Sequence, residues 1–204
     1  MNKISGKIIN HDDSYTGTIE FSDKIESINK DKHSDFENII IPGFIDLHCH
    51  GGNGFDTMGG FSSIIEMSKH HLKQGTTTLL PTTLTATLED TFKALEGLND
   101  FIDQNNNLTN ILGVHLEGPF INPNKLGAQP PHAQLPNIDF INKIKEQAII
   151  KVITLAPELE GSENFIDYLI KNNIKVQIGH SLADYNCCMK IMNKNKIGFT
   201  PLYN

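Results

Sequence analysis

From Ile39 onward the chain repeats one pattern, an apolar run of strand length followed by an amphipathic stretch of helical length. The runs begin near Ile41, Thr76, Ile111, Ile149, Lys175 and Ile197, and the helical stretches fall at 61–73, 88–103, 138–146, 162–172 and 183–195. A helix between two strands returns the chain to the same end of the sheet, so the strands run parallel. An open doubly wound sheet and a (β/α)₈ barrel both satisfy this pattern. No GxGxxG or GxxxxGK[ST] follows the first strand, so a nucleotide-binding open sheet lacks its phosphate cradle. At roughly 31 residues per barrel unit, positions 41–204 hold about five units, and six strand starts are present. The expectation is an α/β fold, a partial TIM (β/α)₈ barrel of about six βα units over 41–204. Before it, over 1–40, short apolar alternations around Ile4, Ile8, Ile19 and Ile28 are broken by polar turns such as 10–14. They read as antiparallel strands of a small β-domain, and the Asn105 to Asn107 run reads as a helix-to-strand turn.

Charge narrows the partners. The formal net charge is −7, from 24 acidic and 17 basic residues, and every basic residue is Lys. Nucleic-acid binding by counterion release needs a concentrated basic face, which this balance disfavours. Without Arg the chain also lacks the bidentate guanidinium clamp for phosphate and carboxylate. Cys49, Cys187 and Cys188 form no CxxC pair, which fits a reduced, cytoplasmic setting. The N-terminus turns polar before any apolar h-region, and no run approaches ~18 apolar residues, so neither signal peptide nor membrane span is expected.

Three strand ends carry chemistry. The run 41–52, IPGFIDLHCHGG, ends in His48 and His50, which alternation places on one face where two imidazoles can share a metal. The run 113–120, GVHLEGPF, places His115 and Glu117 on one face, and a carboxylate can ligate or bridge cations held by imidazole. His180 closes the run 176–181, VQIGHS. In parallel α/β folds these ends open onto one face, so His48, His50, Glu117 and His180 are expected to converge. Asp46 shares the face of His48 and His50 and is suited either to orienting an imidazole or to packing. Cys49 is expected to face the helices as a small apolar residue, and His70 and His71 to lie on a solvated helix face beside Lys69 and Lys73.

PGFIDLHCHGGNGFDTM, GTTTLLPTTLT, GVHLEGPFINPNKLGAQ, LAPE and IGHSLADY occur in that order. Together they closely resemble the N-acetylglucosamine-6-phosphate deacetylases of the amidohydrolase superfamily, from about Ile39 to Asn204. The resemblance implies a metal-bearing TIM barrel that hydrolyses the acetamide of N-acetylglucosamine 6-phosphate to glucosamine 6-phosphate and acetate. It implies a divalent metal, zinc or iron, with Glu117 and His180 as ligands and His48 and His50 completing a second metal position. Ala128, Gln129 and Asn204 would touch the sugar phosphate, the small-molecule partner, and a homo-oligomer is compatible. Where relatives carry a further ligand His, this sequence has Pro201. The family's catalytic Asp and phosphate-binding Arg lie beyond the position of Asn204, so the sequence reads as a C-terminally truncated member without a catalytic residue of its own. Two other readings stay open, a fragment retaining at most a metal site and another amidohydrolase activity such as deamination or ring opening.

Overall fold

A computed structural model describes residues 1–31, 37–104 and 108–200. The chain forms two compact units, Met1–Phe44 and Ile45–Asn204. The expectations at Asn105 to Asn107, Pro201 and Asn204 lie outside the described residues.

In the first unit, β1 (Asn2–Ile9), β2 (Ser14–Phe21), β3 (Ile25–Lys30) and β4 (Ile39–Ile40) form a sheet in the order β3-β2-β1-β4. The β1–β2 hairpin turns where the Asn10 carboxamide oxygen accepts the backbone N–H of Asp12 and Asp13, at 3.0 and 2.8 Å. Alternation then buries Ile8 and Ile19 on one face. The purely antiparallel expectation needs correction at one strand. β4 pairs with β1 in parallel, through Lys7 with Ile39 and Ile8 with Ile40, because it reaches β1 through a long connection rather than a tight turn.

The second unit carries β5 (Phe44–Cys49), a short β6–β7 hairpin (Gly51–Gly52 and Phe55–Asp56), α1 (Gly60–Lys73), β8 (Thr76–Thr83), α2 (Leu88–Asp103), β9 (Asn110–Ile111) and β10 (Val114–Glu117). It continues through α3 (Ile138–Gln147), β11 (Ile150–Leu155), α4 (Ser162–Lys171), β12 (Lys175–Ile178), α5 (Tyr185–Met192) and β13 (Gly198–Phe199). The main sheet runs β13-β12-β11-β10-β8-β5, with β9 added beside β8, and curls into a half-barrel of six parallel strands. Helix starts follow local chemistry: Thr87, Asn137 and Asp184 accept the N–H of Asp90, Phe140 and Cys187, opening α2, α3 and α5. Helices α1 to α4 bury one stripe each, such as Ile64 and Met67 of α1, Leu95 and Leu98 of α2, and Phe165 and Leu169 of α4. Those stripes pack on Leu79, Leu116, Ile153 and Val176 of the sheet. Phe120, fully buried after β10, meets the rings of Phe140 and Phe165 edge-on with centroids at 5.5 and 4.8 Å. Among the described residues no helix is long and apolar enough to cross a membrane.

Candidate metal centre

Parallel pairing decides which residues meet. His50 directly follows β5, Glu117 is the last residue of β10, and His180 lies two residues beyond β12. The Glu117 side chain is only 2% exposed and faces imidazoles from two other strand ends. Its Oε2 lies 2.7 Å from His50 Nε2 and 3.6 Å from His48 Nε2, and its Oε1 lies 3.3 Å from His180 Nε2. His48 and His50 approach each other at 3.2 Å between their Nε2 atoms. The four side chains therefore meet around one carboxylate, whose two oxygens face two different histidine groups.

The surroundings set the tautomers. His50 Nδ1 lies 3.1 Å from the Thr82 carbonyl, and His180 Nδ1 lies 2.9 Å from the Lys125 carbonyl. A carbonyl accepts only, so each Nδ1 carries the proton it donates. Each Nε2 faces Glu117, donating to it while the imidazole is protonated and offering a lone pair to a cation once it is neutral. Burial opposes ionisation of Glu117, yet the facing imidazoles of His180, His48 and His50 outweigh it and hold the carboxyl well below its usual range. The Glu117 hydrogen bond raises His180 in turn, against burial. Beneath the group, His115 is fully buried, with Nε2 2.8 Å from Thr154 Oγ1 and Nδ1 3.1 Å from the Leu47 carbonyl. Burial, then neighbouring His48, pushes its pKa down to about 4, so it stays neutral at pH 7.

The donor set suits a divalent ion. Nitrogen and oxygen ligands at ~2.1 Å in tetrahedral array stand roughly 3.4 Å apart, close to the 3.2 to 3.6 Å separations of three of these pairs. His48, His50 and Glu117 present ligand atoms all within 4.8 Å of one another.

Several participants carry no strand-end signal in the sequence. Gln129 is buried, donating its amide to Glu117 Oε2 at 2.7 Å and accepting the Thr85 N–H at 2.7 Å, whereas its neighbour Ala128 is exposed. Glu158, from the LAPE segment, accepts Asn122 Nδ2 at 2.9 Å, Ser181 Oγ at 2.6 Å and Leu182 N at 2.6 Å. Asn122 N also donates to the His180 carbonyl at 2.9 Å, so this carboxylate ties down the turn that presents His180 in a left-handed conformation. The LAPE motif was the only available signal for Glu158. One expectation about the neighbourhood needs correction. His71 does not lie on a solvated face: its ring packs on Cys49 and on the Gly51 carbonyl, because α1 crosses the end of β5 at its last turn. Cys49 is buried in the apolar core and faces α1, as expected, with His71 and the Gly51 carbonyl as polar contacts besides. Burial, then Asp46, pushes its thiol up to about 11. Asp46 accepts the His48 N–H at 3.0 Å.

No protein-family model matches the chain. It is 33% identical over 186 residues to an N-acetylglucosamine-6-phosphate deacetylase of Bacillus subtilis, covering 88% of this chain and 47% of that protein. A Thermotoga maritima structure named as the same deacetylase superposes with a TM-score of 0.83 at 32% identity, covering all of this chain and 57% of that one. The chain belongs to the N-acetylglucosamine-6-phosphate deacetylase family. It spans about half the length of the curated relatives it matches. Within the same range of similarity stands an N-acetylgalactosamine-6-phosphate deacetylase of Escherichia coli O157:H7, 30% identical over 171 residues, 81% of this chain and 45% of that protein.

Proposed function

We propose that this chain carries the metal-binding half of a deacetylase site, acting on the acetamide of N-acetylglucosamine 6-phosphate to give glucosamine 6-phosphate and acetate. One observation carries the reading: a single buried carboxylate, Glu117, stands 2.7 to 3.6 Å from His48, His50 and His180. Such a charge among imidazoles is the environment a divalent cation completes, zinc or iron being the ions the family resemblance implies and imidazole accommodates. A cation held there lowers the pKa of its water and polarises an amide carbonyl. His180 and Glu117 form one ligand group, and His48 and His50 form a second around the other Glu117 oxygen. Thr82 and Lys125 hold the ligand tautomers through their carbonyls, and Gln129 keeps Glu117 turned inward. Ala128, Gln129 and Asn204 are the sugar-phosphate contacts in this reading, supported for the loop by the reach of Gln129 to Glu117. The Met1–Phe44 sheet belongs in this reading to the small β-domain that accompanies the barrel.

Release of acetate by the zinc- or iron-loaded chain, with the glucosamine and galactosamine forms of the substrate compared side by side, tests the proposal. Turnover of the glucosamine form that disappears on Glu117→Gln is the expected result. Preference for the galactosamine epimer would favour the specificity named for the E. coli relative. Metal uptake without acetate release would leave a binding fragment, and uptake of no metal would overturn the reading.

A further inference from the structure

A second group of metal donors meets where the last turn of α1 crosses the end of β5. Cys49 Sγ lies 3.1 Å from His71 Nε2, and both face the Gly51 carbonyl oxygen, at 3.4 and 3.2 Å. An Asp46 carboxylate oxygen joins them, so that the three side-chain ligand atoms lie within 4.8 Å of one another. The backbone is shaped for this approach. A Cβ at Gly52 would stand 2.8 Å from His71 Nε2 and 3.1 Å from His70 Cδ2, so any other residue there would push the imidazole away. A thiol–imidazole hydrogen bond needs neither the carboxylate nor the carbonyl. Thiolate, imidazole, carboxylate and carbonyl oxygen together are a donor set for a borderline-soft ion.

We propose that Asp46, Cys49 and His71, with the Gly51 carbonyl as fourth donor, bind one divalent cation of the zinc class. Binding replaces the thiol proton, which passes to solvent. The ion fastens α1 to the strand that bears His48 and His50, and it requires neither of those histidines nor the deacetylase reading.

Cobalt(II) alone is the probe, added to the chelator-stripped full chain carrying Cys187→Ser and Cys188→Ser so that Cys49 is its only thiol. With His48→Ala and His50→Ala added, the chain should still bind cobalt with a sulfur-to-cobalt charge-transfer band. His71→Ala should then weaken binding more than about ten-fold. A folded protein without that band, or a band indifferent to His71→Ala and Asp46→Asn, overturns the proposal. The unaltered chain provides a second measurement that no substitution can spoil. Zinc should slow alkylation of Cys49 at least ten-fold, by peptide mapping, and equal labelling with and without zinc would overturn the site.

Discussion

Replacing Glu117 by Gln keeps the side chain's shape and removes the charge shared by three imidazoles. In a chain carrying Cys49→Ser, which silences the second donor group, Glu117→Gln is expected to weaken zinc binding by more than about 100-fold, read by competition with a chromophoric chelator, because even outer partners of metal ligands are worth ten- to 100-fold. Immediately after it, Gly118 has φ +84°, and a Cβ there would stand 2.1 Å from Thr85 Oγ1. Gly118→Ala should therefore cost roughly 1–3 kcal/mol in denaturant unfolding. The pairing of His48 with His50 was legible because side chains of a strand alternate with period two. Gln129 on Glu117 was not, because the path of the 118–137 loop follows from its contacts and not from any periodicity. His71 was misread for a related reason: Lys69 and Lys73 marked its helix face as solvated, while its partner Cys49 lies 22 residues upstream.

Helix positions from α1 to α4 were legible almost residue by residue, and α2 and α3 each pair a capping side chain with one buried apolar stripe. The strands expected near Ile41 and Ile111 lie at Phe44–Cys49 and, beyond the short β9, at Val114–Glu117. Among the helices α5 departs most, expected over 183–195 and observed over Tyr185–Met192. Ser181 and Leu182 are held instead by Glu158, which the pattern of apolar residues does not reveal. Burial opposes the ionisation of Glu158, but bonds from Ser181, Leu182 and Asn122 keep its pKa below the ordinary 4.5. A lowered folded pKa means stability that is present above about 4.5 and lost as the pH falls through the folded value. Thermal unfolding of Glu158→Gln should thus lack part of the acid-side fall in melting temperature that the parent shows. Of the α5 residues only Ile191 is buried, and the unpartnered buried oxygens among the described residues belong to Gln177 and Thr200, on and just beyond β12 and β13. Hydrogen exchange should accordingly be faster in α5 and β13 than in α1 and α2, by mass spectrometry of peptides.

At the scale of the whole main sheet, the strand order of the described residues puts β5 and β13 at its two margins. Ile45 and Leu47 on β5 are 64% and 48% exposed, and apolar residues on an edge strand invite pairing with another chain. Ile45→Lys with Leu47→Lys should weaken self-association of this chain by about ten-fold or more in sedimentation velocity. The half-barrel was foreseeable from six strand starts, whereas the exposure of one margin depends on which strands lie beside it. The meeting of strand ends at Glu117 has a mechanical side as well. His50, Glu117 and His180 are more than 60 residues apart in sequence, so a cation gripping all three acts as a tether across long loops. It removes from the unfolded chain the freedom that a cross-link removes. Heat resistance would then be a property the ion lends the chain, and a chelator would lower it before any substrate is involved.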